Sequence, residues 1–191
     1  MNHKTKTLSA VFEGLILVNI GGVAAFAAEV PGQTGSTPTT VTITDATSGD
    51  LRLDAVPATY AFETEIENGT YSLSTGTIGT PGNIVVSNDS IAQAWSVRAT
   101  VANNQLTRAA APATFDVNSF QINGAQLVGT GATGIVARSA TTPDAGNNTG
   151  QITTPVTSIA IGFTDPSNVL QVNNVLNGTI NYQLYNTADA S

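Results

Sequence analysis

Apolar and polar residues alternate in short runs along most of the chain, and a period of two belongs to half-buried β-strands rather than to helices. The runs are Val41 to Thr44, Leu51 to Leu53, Tyr60 to Ile66, Tyr71 to Ser74, Ile84 to Ser87, Ala94 to Val101, Thr114 to Ile122, Ala125 to Val128, Ile135 to Arg138, Val156 to Phe163 and Thr179 to Tyr185. They predict roughly ten strands. Asn68-Gly69, Asn123-Gly124 and Asn177-Gly178 predict three tight hairpins, because a type I′ turn needs positive φ at both central positions. Ala140 to Gly150 is the longest uninterrupted loop signal and predicts a mobile surface excursion. No repeat of roughly 20 to 50 residues is visible, and short hairpin connections favour a sandwich or open barrel over a parallel sheet. The expected fold is all-β, an antiparallel β-sandwich (immunoglobulin-like or related), built as a single domain over residues 41–191.

The first forty residues follow a different pattern. Lys4 and Lys6 precede an apolar stretch centred on Leu15, Ile16, Leu17, Val18 and Ile20, and Ala25-Phe26-Ala27 follows. A basic start, a short apolar core and small residues around a cleavage point describe an export signal, so residues 1–27 are expected to be a signal peptide cut before Ala28. The apolar core falls short of the roughly 20 residues that a membrane span needs. Residues 28–40, with two prolines and no periodic apolar positions, read as a flexible linker.

Composition narrows the chemistry. Gly, Ser, Thr and Asn together make up about 40% of the chain, well above ordinary usage, and lysine is absent after position 6. Residues 28–191 hold four arginines against twelve acids, a net charge of −8. Nucleic acid and anionic lipid are therefore poor partners, since phosphate binding rests on clustered Lys and Arg, and no membrane insertion is expected after signal removal. There is no cysteine for a disulfide or a lipid anchor. Residues 186–191 show no apolar tail, so attachment to a cell is expected to be noncovalent. The Asn-x-Ser/Thr sequences at Asn68, Asn88, Asn147 and Asn177 read as turn composition.

His3, the sole histidine, leaves with the signal segment, which removes imidazole-based triads and zinc sites. No catalytic residue, metal ligand or cofactor is expected. Paired carboxylates could still hydrolyse a glycoside, and Glu63, Glu65 and Glu67 would share one face of a strand. Like charges on one face more often mark a solvated surface. Asp45, Asp50 and Asp54 could offer oxygens to calcium, but their spacing departs from that of an EF-hand loop.

Two strands carry the most informative pattern. In Ala94 to Val101, Trp95, Val97, Ala99 and Val101 share one face and Ser96, Arg98 and Thr100 the other. In Leu176 to Tyr185, Ile180, Tyr182 and Leu184 oppose Asn181, Gln183 and Tyr185. In both, an aromatic and an aliphatic residue sit two positions apart on the apolar face.

With these strands in place the chain resembles the WxL-domain family of Gram-positive surface proteins, which carry two Trp-x-Leu-type motifs, the second in a C-terminal hairpin strand. The resemblance covers most of the chain after residue 27, including Leu51-Arg52-Leu53-Asp54-Ala55-Val56-Pro57 ahead of Tyr60-Ala61-Phe62. The first motif reads Trp95-Ser96-Val97, with Val in the Leu position, and the second Tyr182-Gln183-Leu184, with Tyr in the Trp position. It implies a secreted protein held noncovalently on cell-wall peptidoglycan, with Trp95, Val97, Tyr182 and Leu184 as ligand-binding residues. It also implies action beside other exported proteins of the same gene cluster.

Two placements of the aromatic pair are open. Core packing fits neighbours that are small or branched and apolar, and wall contact then falls to Ser96, Arg98, Thr100, Asn181, Gln183 and Tyr185. Exposed rings would instead stack on sugar C–H faces, with amides and hydroxyls serving the sugar hydroxyls. Either way, an acidic domain meeting a polyanionic wall points to short-range recognition, strengthened by acid or divalent cations. The rival functions are a structural subunit that pairs with another surface protein through a sheet edge and a carbohydrate-active enzyme.

Overall fold

The structure is a computed structural model that describes residue 41 and residues 50–110 and 112–189. The expected signal peptide, the linker, Asp45 and most of the expected strand Val41 to Thr44 lie outside these residues. All the described strands belong to one compact unit, Ile43–Ser191.

Fourteen strands form among the described residues. In chain order they begin with β1 Leu51–Ala55, β2 Tyr60–Ala61, β3 Thr70–Leu73, β4 Thr77–Ile78 and β5 Asn83–Asn88. β6 Ser96–Val101, β7 Gln105–Arg108, β8 Thr114–Ile122, β9 Ala125–Val128 and β10 Ile135–Arg138 follow. The last are β11 Gly150–Pro155, β12 Ile159–Thr164, β13 Leu176–Asn177 and β14 Ile180–Tyr185. Every pairing is antiparallel. One large sheet runs β13-β7-β8-β12-β3, with β9 folded back on β8, while two three-stranded sheets run β1-β5-β11 and β10-β6-β14, and β2 pairs β4. The inner faces of these sheets share one core, which includes Ile84 and Val86 of β5, Val97 and Ala99 of β6, Phe115 and Phe120 of β8, and Ile161 and Phe163 of β12. The fold is an all-β sandwich, and each of the Val, Ile and Phe side chains so buried contributes about 2 kcal/mol of transfer free energy.

β8 shows how the sequence keeps its apolar residues inside. Phe115 and Val117 are buried at odd positions, Phe120 and Ile122 at even ones. A register shift against β12, where Gly162 faces Ser119 and Phe163 faces Val117, inserts the extra residue that reverses the parity, as a β-bulge does.

Of the three Asn-Gly pairs, only Asn123-Gly124 makes the expected hairpin. Its two φ angles are 48° and 79°, and it joins β8 to β9 with Ile122 opposite Ala125. Asn68-Gly69 precedes β3, which pairs with β12 instead. Asn177-Gly178 separates strands of two different sheets, since β13 pairs β7 and β14 pairs β6. The last strand is therefore not one arm of a local hairpin. At Asn177-Gly178 the glycine lies against Leu106, whose Cδ2 would be 2.7 Å from an added Cβ.

The expected strand Tyr60 to Ile66 stops at Ala61. Glu63, Thr64, Glu65 and Glu67 are exposed, and Ile66 is 53% exposed. No described strand pairs with this stretch. Instead the Tyr71 hydroxyl accepts from Glu67 N and donates to Glu67 O, supplying the backbone bonds that a ladder would have made. Alternation without a partner strand does not suffice.

Candidate functional site

β6 and β14 lie side by side, and their register places Leu184 opposite Val97, Tyr182 opposite Ala99, Gln183 opposite Arg98 and Tyr185 opposite Ser96. Residues directly opposite one another in a sheet point to the same face. The two motif segments thus form one continuous two-sided patch. Its inner side holds Trp95, Val97, Tyr182 and Leu184, and its outer side holds Ser96, Arg98, Thr100, Asn181, Gln183 and Tyr185. β10 extends the outer side, with Ile135 beside Arg98 and Arg138 beside Ser96.

The inner side is core. Trp95 is 1% exposed, Val97 is fully buried, and Tyr182 and Leu184 are half-buried against the core. The indole N–H of Trp95 donates to Asn148 Oδ1 at 3.0 Å, which satisfies the one polar group of that ring. Tyr182 Oη meets Tyr60 Oη at 2.5 Å, and Tyr60 in turn packs on Phe120 at 6.0 Å between ring centroids. Burial pushes both tyrosine hydroxyls above their ordinary range, Tyr182 the more strongly because its bond to Tyr60 adds to the effect. The stacking platform weighed for Trp95 is thereby corrected: a sealed ring offers no face to a sugar, and Val97 offers no surface either.

Around Trp95 a buried polar network closes. Asn148 is fully buried although it lies in the stretch expected to be a mobile excursion. Its Nδ2 donates to Ile91 O at 2.7 Å and Gln93 O at 3.0 Å. Its backbone oxygen accepts from Asn88 Nδ2 at 2.6 Å. Trp95 N donates to Ser139 Oγ, and Ser139 N returns a bond to Trp95 O. The stretch before β6 and the stretch after β10 are thus bolted together, so the segment Ala140 to Gly150 is anchored at its far end. Asn88 also donates to Ser90 O, so its amide is occupied. Sequence reading missed Asn88, Ser139 and Asn148, because an asparagine in a run of turn-forming residues looks the same whether it faces water or the core.

The outer side is polar and locally cationic. Thr100, Asn181 and Gln183 are exposed, Tyr185 is 37% exposed and Arg98 is half-buried. Ser96 departs from expectation, being 0% exposed although it lies on the outer side. Its Oγ and Arg98 Nε are buried with no hydrogen-bond partner among the described residues. The three strands carry Arg98 and Arg138 and no acid, although Asp189, beyond β14, meets Arg138 at 3.3 Å; Arg52 elsewhere is held by Asp50 at 2.9 Å and Asp54 at 3.4 Å. Asp50 and Asp54, two of the three carboxylates weighed for calcium, thus already face a cation. The Ser87 hydroxyl, followed by Arg52, holds the Asp54 carboxyl below the ordinary range.

No group of three or more His, Cys, Asp or Glu suited to a metal occurs among the described residues, and no described helix is long and apolar enough to cross a membrane. Glu63, Glu65 and Glu67 line neither of the two clefts that flank Arg138. Comparison with family models, curated proteins and solved structures finds no match to this chain.

Proposed function

We propose that this is an exported surface protein, without catalytic activity, that attaches noncovalently to the peptidoglycan of a Gram-positive cell wall. The outer side of the β10-β6-β14 sheet is the contact surface. One observation carries the reading: this face gathers the exposed hydroxyl and amide side chains of Thr100, Asn181, Gln183 and Tyr185 around Arg98 and Arg138 in an otherwise acidic chain. A wall glycan rich in hydroxyl, amide and carboxylate groups supplies the donors, acceptors and negative charge that match such a face. The resemblance to the WxL-domain family supports the same ligand. Trp95, Val97, Tyr182 and Leu184 then keep the two contact strands in register.

A second reading has its own support. β10 and β14 are the outer strands of their sheet, and an edge strand can accept a strand from another exported protein. Purified protein mixed with purified peptidoglycan separates the two. The wall reading expects sedimentation with the sacculi in the absence of any other protein. Binding that appears only after a second surface protein is added would replace it with the subunit reading.

A further inference from the structure

Beside the outer face, a cleft of about 420 Å³ opens over the Trp95 network. Its floor includes Asn148 and Ser139, both buried and both already bonded within the chain. Ala92, Ala94, Ala140 and Pro143 supply its apolar wall, a lining without bulky side chains that leaves room for methyl-sized groups. At the rim stand Arg138 and Asp189, which also line a smaller neighbouring cleft of about 270 Å³ along β10. Their ion pair, Nη1 to Oδ1 at 3.3 Å, is the shared boundary, and the two side chains are 63% and 78% exposed. An ion pair so exposed is worth at most about 1 kcal/mol and is readily exchanged for a better-seated anion. The chain's own carboxylate thus occupies the place where a ligand carboxylate would bind, and the one cation among the described residues that line the cleft is an arginine, whose planar fork suits a carboxylate.

We propose that this cleft binds the free carboxylate and alanine-sized side chains of a short peptide, with Arg138 as the anion's partner and Asp189 as an internal competitor that the ligand displaces. The wall-binding reading is used only to name the source, the stem peptides of peptidoglycan, which would place the peptide in the cleft while the glycan lies on the adjoining sheet face. Arg138 connects the two surfaces, being opposite Ser96 in the sheet and at the rim of both clefts.

The test uses the whole protein and no cell wall. N-acetyl-D-alanyl-D-alanine and its C-terminal amide are titrated separately by calorimetry, against the native protein and against the Arg138→Gln and Asp189→Asn variants. Both replaced side chains are exposed, and matching circular dichroism spectra establish that the variants fold alike. The free acid is expected to bind at least tenfold more tightly than the amide. Arg138→Gln should remove that preference, and Asp189→Asn should tighten the acid about threefold. Equal binding of acid and amide, absence of acid binding at millimolar concentration, or weaker binding in Asp189→Asn overturns the proposal. Failure here together with intact sedimentation on sacculi rejects the cleft alone. Acid binding here without sedimentation rejects the wall reading and leaves the cleft as a carboxylate site.

Discussion

The indole N–H of Trp95 and the side-chain oxygen of Asn148 meet at 3.0 Å inside the protein, sealed from solvent on both sides. The same asparagine holds the carbonyls of Ile91 and Gln93, so Asn148→Ala removes the acceptor of the indole N–H and one hydrogen bond from each of these two carbonyls. An unsatisfied buried group costs about 1–3 kcal/mol, and partial entry of water lowers the sum. Denaturant unfolding of Asn148→Ala is expected to show a loss of about 3 kcal/mol, with Trp95 emission shifted to the red. A loss under about 0.5 kcal/mol, the range typical of a surface substitution, would mean that the network does not anchor the segment after β10.

The two halves of the motif patch separate by readout. Leu184→Ala removes apolar contact from a half-buried site, and about 2 kcal/mol of stability should go with it, at the low end for such a truncation. Gln183→Ala should leave the unfolding midpoint unchanged and weaken sedimentation on sacculi. If Leu184→Ala, still folded at low temperature, loses sedimentation while Gln183→Ala keeps it, the assignment of inner and outer sides is reversed.

The period of two fixed most strands because inner positions are apolar and outer ones polar. β8, β9 and β10 have the expected bounds, and the facing of Trp95, Val97 and Ala99 follows from parity alone. Two kinds of feature were illegible. β11 is mostly polar, with only Ile152 and Thr154 half-buried, and its place comes from pairing with β5, a long-range fact without a local signal. Burial of a polar residue is the other. Ser96 lies on the expected side and is still covered, and Asn148 sits among loop residues and is still inside. Asn177-Gly178 shows the converse limit, a strong local turn signal overridden because its flanking strands find partners in different sheets.

Gly134 offers a backbone check on the join between β10 and β6. Its φ is +68°, its oxygen accepts from Ala99 N at 2.8 Å, and an added Cβ would sit 2.6 Å from Ala99 O. The left-handed region costs a non-glycine residue about 1–2 kcal/mol, and the clash adds to it. Gly134→Ala should therefore lower stability by about 2 kcal/mol or more, read by thermal unfolding. An unchanged midpoint would show that β10 does not approach β6 this closely.

Alkaline titration tests the Tyr60–Tyr182 contact. The folded chain holds both hydroxyls neutral beyond their ordinary range, while in the unfolded chain they ionise near pH 10. This contribution to stability is complete below about pH 10 and is lost as the pH rises toward the folded values. The unfolding midpoint should fall between about pH 10 and 12, and less steeply in Tyr182→Phe. Phenolate absorbance from these two residues that rises near pH 10 with the fold intact would show that the pair is open to solvent.

Acidification addresses the wall contact from the other direction. Lowering the pH from 7 toward 4.5 mutes repulsion between an acidic domain and a polyanionic wall, while Arg98 and Arg138 keep their charge. Retention on purified walls should rise. A fall in retention with the fold intact would speak against short-range recognition working in spite of net charge.

The most direct test of the central claim compares native protein with the Arg98→Gln/Gln183→Ala double variant for sedimentation on purified peptidoglycan, with no other protein present. These two residues face each other on the outer side of β6 and β14. The expected result is at least a tenfold loss of affinity with unfolding midpoint and Trp95 emission unchanged. Undiminished sedimentation of the variant, or failure of the native protein to sediment, would contradict the account.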